Sequence, residues 1–154
     1  MMPAVDRPGP EAAGLRAWAR GTYPDEAAAE LLIRAFGGRF ATRVQPWVVP
    51  LDGSNRFWCD PSVITEYAGA LSGSERRVLA VVAGLLGGDP VDLVDVAPGL
   101  DRANLTLVLA AIAHAGGSHQ HTDWRTGLQP GPIVPWPDPA DPHRTPGPLP
   151  VGVS

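Results

Sequence analysis

Prolines crowd one end of this chain, and a segment built that way cannot hold a core. Nine of its 18 prolines fall between Gln129 and Ser154. Proline has no amide hydrogen and a fixed φ, so it neither continues a helix nor joins the interior of a sheet. So proline-rich a stretch buries too little apolar surface to offset the entropy of ordering it. The expected organisation is a flexible arm over residues 1–10, a helical domain over 11–128 and a disordered proline-rich tail over 129–154.

The helical domain has the composition for a core, since 44% of the 154 residues are hydrophobic and 18% are charged. A net charge of -4 and a pI near 5.4 argue against nucleic acid or an anionic membrane as the main partner. All twelve basic residues are arginines, so no lysine Schiff base, phosphate-loop lysine or lysine general base exists here. The single Cys59 excludes an intramolecular disulfide and any zinc site built on several cysteines, and it reads as a small buried hydrophobe. No charged leader with an apolar run opens the chain, and no apolar stretch is long enough to cross a bilayer. A cytoplasmic protein is the expectation.

Local patterns predict a mainly α fold, a compact bundle of about five helices with one small β-hairpin. Glu11 to Arg20 has helix-forming composition and stops at Gly21. Thr22 and Asp25 stand in capping-box spacing, and Ala28, Leu31, Leu32, Ala35 and Phe36 form an apolar stripe that ends at Gly37-Gly38. Val44 to Val49 against Arg56 to Cys59 reads as a hairpin turning through Leu51 to Asn55. Asp60-Pro61 is an N-cap followed by a first-turn proline, and Ser72 with Glu75 repeats the capping-box spacing. Pro90 to Ala97 fits either a short strand or one helical turn. Asp101 caps a last helix, Arg102 to Ala115, apolar on almost every side and therefore expected at the centre.

Two resemblances lie on these segments. Leu71-Ser72-Gly73-Ser74-Glu75-Arg76-Arg77, Leu93-Val94-Asp95 and Gly99-Leu100-Asp101 resemble the signature, Walker B and D-loop series of ATP-binding cassette ATPases. That family binds ATP through a glycine-rich loop with a lysine, which this chain lacks, and Val96 stands where the family carries its catalytic glutamate. Helix capping and turn formation account for each piece. Separately, Glu30-Leu31-Leu32-Ile33-Arg34, Ser74-Glu75-Arg76, Pro90-Val91-Asp92-Leu93 and Gly99-Leu100-Asp101-Arg102-Ala103-Asn104 resemble short uncharacterised helical proteins of actinomycetes. That likeness spans most of the folded part and supports the domain boundary without implying an activity.

Two sets of residues carry candidate functions. His119, His121 and Asp123 alternate, so in an extended segment they point the same way, and His114 in the last helical turn adds a further ligand. Zinc or another divalent metal fits such a set, although polar linkers and helix C-termini also collect histidines. No cofactor is implied elsewhere, and no catalytic set stands at an interpretable spacing. Trp18, Trp47 and Trp58 are expected to pack the hairpin onto the helices. Trp124 and Trp136 fall outside that block, and Ile133, Val134 and Trp136 lie in a stiff apolar stretch of the kind that docks on another protein. The function expected first is a non-catalytic accessory or regulatory protein acting through protein–protein contact, with a homo-oligomer as one form of it. The alternative is a small metal-dependent protein or enzyme with the His-x-His-x-Asp site.

Overall fold

A computed structural model describes residues 9–120 and 135–140. Helix α1 (Pro10–Ala19) opens on a first-turn proline and buries Ala12, Leu15 and Ala19. Its Gly14 lies against the backbone of the hairpin, where a Cβ would meet the Asn55 carbonyl oxygen at 2.3 Å. Helix α2 (Tyr23–Arg34) buries Ala27, Ala28, Ala29, Leu31, Leu32 and Ile33, apolar side chains on more than one face. Small residues let neighbours approach closely, and α2 packs against α1, against α4 (Gly73–Leu85) and against α6 (Arg102–Ala115). The centre of the bundle is therefore α2 and not α6.

Helix α2 also stops earlier than its apolar stripe suggests. Phe36, Gly37 and Gly38 are consecutive left-handed residues, with φ of 52°, 68° and 81°, inside the 3-10 segment Ala35–Ala41. The glycines adopt that conformation freely, whereas Phe36 is held in it. An edge-on contact with Phe40, ring centroids 5.5 Å apart, and the Arg39 guanidinium over its ring keep it there.

Strands β1 (Val48–Pro50) and β2 (Phe57–Cys59) pair antiparallel with Val48 opposite Cys59 and Pro50 opposite Phe57. The hairpin is shorter than its β-prone composition predicts, because Pro46 lies in a turn before β1 and Val44 stays in solvent. Trp47 is fully buried, and its indole N–H donates to the Phe40 carbonyl at 2.8 Å. Trp18 packs at the edge of the core, while Trp58 alternates with the buried Phe57 and Cys59 and faces the other way.

Asp60 caps α3 (Pro61–Tyr67), accepting from the Ser62 N–H at 3.0 Å. Asp92 caps the single turn α5 (Leu93–Val96), and Asp101 caps α6 by accepting from the Asn104 N–H at 2.8 Å. The two capping boxes do not close. Glu75 pairs with Arg39 of the 3-10 segment instead of folding back to Ser72, and Thr22 makes no side-chain cap, its neighbour Glu26 taking the Gly21 N–H. For Glu75, a charged partner across the fold outcompetes a local backbone amide. The architecture is mainly α, six helices and one hairpin among the described residues, and no helix there is long and apolar enough to cross a membrane.

Candidate functional site

The start of α2 lies beside the end of α6, and their facing side chains collect four polar or aromatic groups. Tyr23 and Glu26 come from the first turn of α2, His114 from the last turn of α6, and His119 from the 3-10 turn Ser118–Gln120 that follows. His114 Nε2 and Glu26 Oε1 lie 2.9 Å apart, and the other Glu26 oxygen accepts from the Gly21 N–H at 2.9 Å. The two imidazoles stack with centroids 3.8 Å apart and planes 13° from parallel, and the edge of Tyr23 closes on His119 at 4.8 Å. One ligating atom each from Glu26, His114 and His119 lie within 4.8 Å of one another. His119 Nδ1 and the Ser118 hydroxyl are buried without a hydrogen-bond partner among the described residues.

These surroundings set the charge states. Burial raises the Glu26 carboxyl, but the Gly21 N–H and His114 outweigh it, so Glu26 is held below its ordinary value and is a carboxylate at neutral pH. His119 is pushed down, chiefly by burial and then by His114, so its imidazole is neutral and its lone pair available.

The segment 135–140 lies across this cluster. Trp136 packs on the helical core, and its indole N–H donates to His114 Nδ1 in a long bond of 3.5 Å. In its neutral form His114, with Nδ1 accepting from Trp136, carries its proton on Nε2 facing Glu26. The Arg34 guanidinium stands 5.0 Å from the Trp136 ring centre and donates to the Pro137 carbonyl at 3.3 Å. The same arginine pairs with Glu30 at 2.8 Å, and Glu30 also binds Arg16 of α1. A cleft of about 250 Å³, bounded by Arg16, Arg20, Glu26, Glu30 and His114, borders the cluster.

On the opposite flank of α6 an apolar groove of about 480 Å³ runs between α4, the α5 turn and α6. Buried Val81, Val96 and Val108 belong to its lining, together with the more exposed Leu93, Leu109 and Ile112. Leu109 and Ile112 are 45% and 49% exposed and Leu93 is 64% exposed, a run of apolar side chains left uncovered by the described residues. Asp89 stands in the lining as its acidic member.

Of the metal ligands expected from spacing, the structure brings His114 and His119 together, and His121 and Asp123 lie outside the described residues. The third member of the cluster, Glu26, gave no signal in the sequence, standing 88 positions from His114. Of the expected docking residues, Trp136 is seated on this chain's own helices, while Trp124, Ile133 and Val134 lie outside the described residues. The ATPase-like segments meet for structural ends. Asp95 pairs with Arg76 at 3.0 Å, and the Arg77 guanidinium lies against Gly99 while its Nε donates to the Asp95 carbonyl at 3.0 Å. Cys59 is buried, and that burial, with Asp60 beside it, pushes its thiol up to about 12, out of range for a nucleophile. No family model, curated protein or solved structure matches this chain.

Proposed function

We propose that this is a non-catalytic accessory protein that binds another protein through the groove between α4 and α6. One observation carries the reading: Leu93, Leu109 and Ile112 line a preformed apolar groove and stay in solvent. Exposed apolar side chains contiguous with a groove mark contact surfaces more often than isolated ones do. The groove is walled by two helices and carries Asp89 in its lining, with Asp92 exposed nearby. An amphipathic partner helix with an apolar stripe, and a basic residue placed to meet Asp89, fits that chemistry.

Position-specific photo-crosslinking tests it. A benzoylphenylalanine at Leu109 should yield an adduct with an apolar helical segment of a different protein, and the same probe at Arg56 on the hairpin should not. Introducing Ile112→Glu should reduce the Leu109 adduct about tenfold, because a carboxylate would be desolvated against the partner's apolar face. An adduct only with a second copy of this chain, or none above the Arg56 control, would overturn the proposal.

A further inference from the structure

We propose that Glu26, His114 and His119 form a site for a divalent transition metal, zinc being the best fit, where the start of α2 meets the end of α6. The proposal is independent of the groove. Its geometry is the convergence of three side chains from three separate elements, with ligating atoms within 4.8 Å of one another. Two imidazoles and a carboxylate suit zinc, cobalt, nickel or copper and disfavour magnesium and calcium, which take oxygen. Three protein ligands leave a fourth position for water, the pattern of an open zinc site.

Two further features separate this cluster from an ordinary polar contact. His119 Nδ1 is buried with no hydrogen-bond partner among the described residues, an acceptor left unpaired that a metal would satisfy. Glu26 is aimed by the Gly21 N–H on its second oxygen, which is the outer-shell support a ligating carboxylate needs.

Loading the site requires two local changes. A metal lies in the plane of each imidazole it binds, and the two rings are stacked, so His119 must turn out of the stack. It sits on a 3-10 turn beyond α6, where such a turn leaves the helix in place. On His114 the metal takes the position of the Nε2 proton now facing Glu26, and that proton moves to Nδ1. There it meets the indole N–H of Trp136, donor against donor, so metal binding loosens the seat of Trp136.

Titration of the untagged full chain with Co²⁺ is the test. One Co²⁺ per chain should bind, with the visible absorption of a four-coordinate nitrogen–oxygen site and no thiolate band, and Zn²⁺ should displace it. His119→Asn, which lies beyond the helices, should weaken Co²⁺ binding about tenfold or more while leaving far-ultraviolet circular dichroism and the thermal midpoint unchanged. Glu26→Gln and His114→Ala should weaken it similarly, and His119→Asn keeps the test decisive if either of those lowers stability. Trp136→Phe, lacking the competing N–H, should bind about threefold more tightly. No binding at millimolar Co²⁺, or binding that survives His119→Asn and Glu26→Gln within about twofold, would overturn the site.

Discussion

Gly14 sets two residue-level effects against each other. Alanine in a helix interior is favoured over glycine by about 1 kcal/mol, because glycine loses more backbone freedom on folding. Here the added Cβ would stand 2.3 Å from the Asn55 carbonyl oxygen and 2.6 Å from the Phe57 ring. Overfilling a packed contact costs about 1–3 kcal/mol, and a backbone oxygen yields less readily than a side chain, so the cost falls at the upper end. Gly14→Ala should therefore lower stability by about 1–2 kcal/mol, read from the urea midpoint. Gly69→Ala, with nothing within 4 Å of its Cβ, should leave it unchanged or slightly raised. A stabilised Gly14→Ala would mean that α1 does not sit against β2 as described.

At the scale of elements, the segment 135–140 behaves as part of the helical body. Its attachment centres on Trp136, which packs on the core, lies under the Arg34 guanidinium and reaches His114, and Arg34 also donates to the carbonyl of the buried Pro137. Composition alone predicts that deleting Gln129 to Ser154 leaves unfolding untouched. The seat of Trp136 predicts a loss of about 1–2 kcal/mol from its apolar burial and cation–π contact. The deletion, and Trp136→Ala alone, should each lower the thermal midpoint by about 4 °C. Arg34→Ala should raise amide exchange at Trp136, Asp138 and Ala140 while sparing α4. Equal midpoints for the full and shortened chains would detach the segment from the fold.

For the molecule as a whole, Glu30 joins α1 to α2 through Arg16 and Arg34 while largely buried. Burial raises its carboxyl, but the two guanidinium groups outweigh that and hold it below its ordinary value of 4.5. A carboxylate shifted down on folding adds stability that is complete above the unfolded value and lost as pH falls through the folded one. Glu11 and Glu26 shift in the same direction, and Asp25, raised by burial, works against them. His119, also pushed down on folding, removes stability as pH falls below its ordinary 6.5. The thermal midpoint should therefore decline gently from there and more steeply below about pH 4.5, where the carboxylates titrate. Glu30→Gln should flatten part of that acid limb and cost about 1–2 kcal/mol at neutral pH, since both arginines are partly in solvent. An acid limb of unchanged slope in Glu30→Gln would show that the pair does not couple to folding.

The sequence by itself determined the features that form within one turn of the chain. Asp60 before Pro61 and Asp101 before Arg102 mark the starts of α3 and α6 because a cap needs only the next three residues. Helical periodicity likewise assigned the fold to the mainly α class, and alternation singled out His119, His121 and Asp123, with His114 added from the last helical turn, as candidate ligands. Tertiary packing alone decided the rest. Glu26 joins the histidines, α2 displaces α6 from the centre, Glu75 leaves Ser72 for Arg39, and Trp136 turns back onto its own helices. Each of these depends on which surfaces meet after the helices form, and residues 88 apart carry no periodicity that links them.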